Sequence, residues 1–176
     1  MDNEPRGVLS ILTNAIEMEL EGKEFFAEVA AKARNQRTRE TFMSLVKQEQ
    51  RHIDILGEEL RRTEKGMDWA TLEVMKRSAP TYPKMSVFQD KKFRRLKFDP
   101  QSGELEALRV GMEVENKSIE YYRTAGSQAV DPKAREVFNW LVGEEAGHLT
   151  ILSAEFEYRT RSGFYYDTPE FSLEVM

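Results

Sequence analysis

Apolar residues recur three, four or seven positions apart over long stretches of this chain, and the stretches come in pairs. From Val8 to Val29 the series Leu9, Leu12, Ile16, Phe26 and Val29 keeps helical spacing, with Pro5 just ahead of it. After the polar residues 33–39, the series Phe42, Leu45, Val46, Ile53, Leu56 and Leu60 extends the pattern to about Glu64, so a short turn joins two helices into a hairpin. Between Lys65 and Gly103 the periodicity breaks at Gly66, Pro80, Pro83 and Pro100, leaving a crossover connection with brief helical stretches at 68–76 and 86–96. A third helix follows over about 103–129, with Leu105, Leu108, Met112, Ile119 and Tyr122 on one face. Asp131 as N-cap and Pro132 in the first turn then start a fourth, which runs to about Tyr158. Residues 159–176 read as an extended aromatic tail.

The two hairpins are copies of each other. Shifting the chain by 96 positions lays Ala15–Leu56 on Gly111–Leu152 without a gap, and 13 of the 42 aligned positions are identical. They include Glu19/Glu115, Glu49/Glu145, His52/His148, Phe42/Phe138, Leu45/Leu141 and Leu56/Leu152, while Phe25-Phe26 faces Tyr121-Tyr122. Two hairpins that each bury one face, joined by a long link, predict an all-α four-helix bundle in one domain over residues 1–176. Its parts are a hairpin at 8–64, a crossover at 65–103, a hairpin at 104–158 and a tail at 159–176.

Composition narrows the chemistry. The 176 residues contain no cysteine, so disulfides, zinc ribbons, iron–sulfur clusters and thiol nucleophiles are excluded, and any metal falls to His, Asp, Glu or backbone oxygens. A net charge of -5 gives no general attraction to nucleic acid or anionic lipid. No stretch approaches the roughly 18 apolar residues of a membrane span, and the first residues lack the pattern of a signal peptide, so neither nucleic acid nor membrane is expected as a partner and a cytoplasmic location is.

The chain has two histidines, and each follows a glutamate by three residues: Glu49/His52 and Glu145/His148. On a helix that spacing puts carboxylate and imidazole on one face, where they can converge on one ion. The helical phase turns both pairs inward, along Phe42, Leu45, Glu49, His52, Leu56 and along Phe138, Leu141, Glu145, His148, Leu152. It does the same for Glu19 on Leu12, Ile16, Glu19, Phe26 and for Glu115 on Leu108, Met112, Glu115, Tyr122. A lone histidine on such a face is more often a hydrogen-bonded core residue; two with matched glutamates point to ligation. Four buried carboxylates need counter-charge, and two divalent ions supply it, with Glu49 and Glu145 placed to bridge and Glu19, Glu115, His52 and His148 as terminal ligands. The oxygen-rich set suits iron first, with manganese or a mixed pair as alternatives. Glu17, Glu21, Glu24, Glu113 and Glu120 flank these lines and read as solvated or ion-paired faces.

The segments IEMELEGKEFF, VKQEQRHIDIL, MEVENKSIEYY and VGEEAGHLTIL, in that order, with DPQSGELEALR leading into the third helix, resemble the ferritin-like di-iron carboxylate proteins and within them the rubrerythrin-like proteins. The resemblance covers about residues 8–158 and implies a ferritin-like bundle in which Glu19, Glu49, His52, Glu115, Glu145 and His148 hold two irons. It also implies reduction of hydrogen peroxide or dioxygen in oxidative-stress defence, with Glu19, Glu49, Glu115 and Glu145 as catalytic carboxylates. Full-length rubrerythrins carry a four-cysteine rubredoxin domain; without one, electrons are expected from a separate rubredoxin-like or other donor protein. The family pattern has a further glutamate where Ser118 stands. Tyr122 in the third helix, where the first has Phe26, either donates to a ligand carboxylate in the catalytic centre or is plain core; if it donates, one such hydroxyl is missing and the metal positions are unequal.

Other features carry two readings each. Gly22 and Ser118, one turn past Glu19 and Glu115, either leave a position open for oxidant or let helices approach. The basic run Lys91, Lys92, Arg94, Arg95 and Lys97 is a solvated face or a dock for an acidic electron donor. The tail segment GFYYDTPEF packs on the bundle or on a second copy, so a homodimer is expected. Against the peroxidase stand a ferroxidase or iron-handling protein and a static, redox-silent metal module.

Overall fold

The structure, a computed structural model, describes residues 4–81 and 103–160 and the backbone of 164–165 and 168–169; side chains are described from residue 7 to 81 and from 103 to 160. Among the described residues five helices form in order: α1 (Glu4–Lys32), α2 (Gln36–Glu64), α3 (Leu72–Ser78), α4 (Gly103–Gln128) and α5 (Pro132–Thr160). Two short antiparallel strands, β1 (Phe164–Tyr165) and β2 (Thr168–Pro169), follow. The first hairpin is α1 with α2, the second α4 with α5; α1 lies along α4 and α2 along α5. The fold is therefore the all-helical bundle expected of a duplicated hairpin. No helix among the described residues is long and apolar enough to cross a membrane.

Helix bounds follow the hydrophobic pattern to within a few residues. The first helix starts at Glu4, one residue before Pro5, because proline is tolerated in a first turn that has no partner for its amide anyway. Of the two helical stretches expected in the crossover, the first is α3, shifted to Leu72–Ser78 behind the Thr71 cap; the second, 86–96, lies outside the described residues, as does the basic run from Lys91 to Lys97. Arg159 and Thr160, expected in the tail, continue α5; beyond them the tail is extended where β1 and β2 pair, and its side chains lie outside the described residues.

The two hairpin turns are built alike. Asn35 caps α2 by accepting from the Thr38 amide at 3.0 Å, and Asp131, its equivalent, caps α5 by accepting from the Lys133 amide at 2.7 Å. Across each turn an arginine donates to a carbonyl at the end of the preceding helix: Arg39 to Ala33 at 2.7 Å, Arg135 to Ala129 at 2.9 Å. Arg39 and Arg135 are an identity of the repeat, and the turn geometry accounts for it.

Apolar burial divides into two clusters along the bundle. One gathers Leu12, Ile16, Ile55, Leu56, Tyr122, Phe138 and Leu141; the other gathers Phe25, Phe26, Phe42, Leu45, Leu108 and Leu152. On every long helix buried acidic or imidazole residues stand between the clusters: Glu19, Glu49 with His52, Glu115, and Glu145 with His148. A polar layer thus crosses the middle of the core. Leu105, expected on the inner face of the third helix, is 36% exposed, because it sits at the helix start beyond the end of the bundle core.

The repeat is broken where the crossover begins. Ile55 is fully buried while its equivalent Ile151 is 39% exposed, since Trp69, Ala70 and Met75 fold over the outer side of α2. Arg51 donates to the Met75 carbonyl at 3.2 Å and Lys133 to the Trp69 carbonyl at 3.0 Å, fixing this cover to α2 and α5. Beneath it Glu59 accepts from the Ala70 amide at 3.0 Å. Its repeat equivalent Glu155 accepts instead from Thr38 Oγ1 at 2.7 Å and Arg37 Nε at 2.8 Å, tying the start of α2 to the end of α5.

Burial raises the Glu59 carboxyl to about 7, and the Ala70 amide and Arg62 offset it only in part. The folded chain thus binds this proton more tightly than the unfolded chain does. The penalty for ionising it is absent below the unfolded value near 4.5 and complete above 7. Glu59→Gln, which keeps an acceptor for Ala70, is expected to stabilise the protein at pH 8 by at most about 3 kcal/mol, with the gain fading toward pH 5. Urea denaturation of both proteins at the two pH values measures it, and an equal effect at both would remove the assignment.

Candidate metal centre

The polar layer brings all six predicted ligands together. Glu19, Glu49, His52 and Glu145 form one group whose ligand atoms lie within 4.8 Å of one another, and Glu49, Glu115, Glu145 and His148 form a second. Glu49 and Glu145 belong to both. The reason is the helical phase: the i, i+3 pairs on α2 and α5 face each other across antiparallel helices, and single glutamates on α1 and α4 close the two ends. None of the six is more than 3% exposed.

Each imidazole turns Nδ1 into the cluster. His52 Nδ1 stands 3.0 Å from Glu145, 3.4 Å from Glu19 and 3.4 Å from Glu49. His148 Nδ1 stands 3.0 Å from Glu49, 3.2 Å from Glu145 and 3.5 Å from Glu115. The rings stack 5.3 Å apart. Despite these distances neither Nδ1 has an aligned hydrogen-bond partner, nor have Glu115 Oε1 and Glu145 Oε1. Buried polar atoms left unpaired in this way are costly. Atoms that share one ion through bonds of 2.0–2.1 Å stand about 3 Å apart when adjacent, and the Nδ1 distances match. The donor set, four carboxylates and two imidazoles, fits a pair of divalent ions of intermediate to hard character.

Electrostatics fits the same conclusion. Burial pushes Glu19 well above the usual carboxylate range, and the charges of Glu145 and Glu49 push it further. Burial also raises Glu115, outweighing His148. Against burial, neighbouring side chains hold Glu49 and Glu145 below the usual range: Glu19, His148 and His52 for the former, His148, His52 and Glu115 for the latter. Burial would lower both imidazoles, but the Glu19 charge with the Glu144 and Glu145 oxygens keeps His52 well above its ordinary value, and Glu115, Glu145 and Glu49 push His148 up to about 12. The layer thus sets carboxylates that burial raises beside carboxylates that neighbouring side chains hold down, and the carboxylates in turn raise both imidazoles.

Tyr122 is fully buried and its hydroxyl donates to Glu19 Oε1, so of its two readings the structure has the donor. Burial first, then the Glu19 charge, keeps the phenol protonated. Phe26, its equivalent, is also fully buried and has no hydroxyl to offer Glu115. At Gly22 an added Cβ would meet Val114 Cγ1 at 3.5 Å, an ordinary contact, so close helix approach does not require the glycine there; Ser118 is buried. Of the flanking acids, Glu24, Glu113 and Glu120 are exposed and Glu17 and Glu21 half-buried, outside the layer.

Two residues near the layer escaped the sequence analysis. Glu144 places Oε2 4.0 Å from His52 Nε2, and the adjacent His52, more than burial opposes, lowers its carboxyl, with Trp140 and Lys76 adding to the effect. Trp140 stands edge-on to the His52 ring at 5.5 Å. The signal was present in the spacing, since Trp140 and Glu144 are one turn apart beside Glu145, but their repeat equivalents are Ser44 and Gln48, so the self-comparison hid them.

The Rubrerythrin family model matches residues 10–156. Neither a curated protein nor a solved structure matches the chain.

Glu49→Ala or Glu145→Ala removes a carboxylate common to both groups and is expected to abolish binding of an ion pair, whereas Glu24→Ala is expected to leave it intact. Metal content per chain after anaerobic loading and desalting checks this; two ions retained by either of the first two variants would exclude a bridging role.

Proposed function

Because the chain belongs to the rubrerythrin family and its buried glutamates and histidines form two groups that fit a metal site, we propose that it is a di-iron carboxylate oxidoreductase that reduces hydrogen peroxide, or dioxygen, with electrons from a separate donor protein. The observation that carries this reading is the pair of four-residue groups sharing Glu49 and Glu145 in a buried layer of the core. Two ferrous ions held there would give one electron each to hydrogen peroxide, which takes two protons and leaves as two waters, and the donor would return the electrons.

The chain's own residues supply the rest. Glu49 and Glu145 lie between the histidines and would span the pair, with Glu19 and His52 closing one end and Glu115 and His148 the other. Tyr122 fixes the orientation of Glu19 through Oε1. Glu19 and Glu115 are the carboxylates whose proton affinity burial raises, so an ion held there would compete with protons at these two. The apolar clusters on either side keep bulk water from the layer. In the same reading the protein acts in oxidative-stress defence in the cytoplasm, as a homodimer, with a rubredoxin-like or comparable donor.

Anaerobic ferrous titration followed by one equivalent of hydrogen peroxide or dioxygen, in parallel and watched by visible absorption, tests the proposal. Saturation at two irons per chain with a charge-transfer band that forms faster with peroxide is expected. Faster reaction with dioxygen would favour ferroxidase chemistry, and binding without oxidation would leave a structural metal module. A linked expectation concerns protons: Glu19, Glu115 and both histidines have raised proton affinity, so loading divalent ions should release protons and apparent affinity should rise with pH. Calorimetry in buffers of different ionisation enthalpy counts them, and a release near zero would contradict those raised affinities.

A further inference from the structure

The two ends of the ligand layer come from one repeated hairpin but are backed by different residues. Behind Glu19 and His52 stand Tyr122, donating to Glu19 Oε1, Trp140, edge-on to the imidazole, and Glu144, facing His52 Nε2 at 4.0 Å. The crossover reinforces this end: Lys76 of α3 lies over the Trp140 ring at 4.5 Å, and Arg51 binds the Met75 carbonyl. Behind Glu115 and His148 the equivalent positions hold Phe26, Ser44 and Gln48. Gln48 donates to Ser44 at 3.4 Å, and Glu115 Oε1 and His148 Nε2 are buried without hydrogen-bond partners. His52 Nε2 has no aligned bond either, but a carboxylate faces it; among the described residues no carboxylate lies within 4.0 Å of His148 Nε2.

A ligand held from behind meets its ion already oriented, and loss of such a partner typically lowers metal affinity about 10- to 100-fold. Both differences favour the same end, and they arise on separate helices, Tyr122 on α4 and Glu144 on α5. We propose that the ion positions are unequal in a fixed direction: the one lined by Glu19 and His52 fills first and keeps its ion, and the one lined by Glu115 and His148 is exchangeable. Tyr122 and Glu144 are the positioning residues that set this order. The inference rests on the metal-pair reading above.

Anaerobic titration of the full chain with Co(II), followed by ligand-field absorption and chelator competition, tests it. Stepwise loading alone decides nothing, because the second divalent ion always meets the charge of the first; the identity of the tight position decides. His148→Ala is expected to leave one step of wild-type tight affinity, and His52→Ala one step weaker by about tenfold or more. Circular dichroism checks that both variants fold. Two milder changes keep the test independent of them: Tyr122→Phe and Glu144→Ala should weaken the first step and spare the second, and Glu144→Gln, which retains an acceptor, should recover part of the loss. Gln48→Glu should strengthen the second step. Loss of the tight step in His148→Ala, or equal weakening of both steps by Tyr122→Phe and Glu144→Ala, would overturn the order. Fewer than two ions bound by the wild type would overturn the metal-pair reading and this inference with it.

Discussion

A carboxylate moved from water into an apolar interior costs several kilocalories per mole unless a counter-charge comes with it, and this bundle moves four into its centre. Two imidazoles come with them: burial raises Glu19 and Glu115, neighbouring side chains hold Glu49 and Glu145 low against burial, and the carboxylates raise both histidines. These pairings alone do not satisfy the atoms. Both Nδ1 atoms still lack an aligned partner, a deficit that an ion between the carboxylates would remove. The same groups that are awkward in a core are the right ones around a metal.

The surrounding fold keeps this layer in place from both sides. One apolar cluster closes it toward Tyr122 and Phe138, the other toward Phe26 and Phe42. The helix ends are then fixed by local polar contacts that do not touch the layer: Asx caps at 35 and 131, arginines across each turn, and Glu155 between α2 and α5. These contacts set helix register, and register decides whether residues three apart on α2 meet residues three apart on α5.

Much of this was legible in the chain because the bundle repeats and because helical phase is strict. The inward lines through Glu19, Glu49, Glu115 and Glu145 follow from 3.6-residue periodicity, and the structure buries each of them. What could not be read has identifiable causes. Ile55 and Ile151 are identical in sequence and different in exposure because the cover over α2 comes from a non-periodic segment, residues 67–75. Glu144 and Trp140 lack counterparts in the first hairpin, so a reading built on self-similarity passes over them. Arg39 and Arg135 are identical across the repeat, but their partners are backbone carbonyls, which sequence does not mark.

Each candidate ion position draws three side chains from one hairpin and a single glutamate from the other: Glu145 completes the first, Glu49 the second. Neither half of the chain could assemble a full set of ligands by folding alone. A free hairpin with this pattern would reach four ligands only by docking against another copy of itself across a two-fold axis. With both hairpins in one chain the assembly does not depend on protein concentration, and the two halves differ, with Tyr122 and Glu144 on one side and Phe26 and Gln48 on the other.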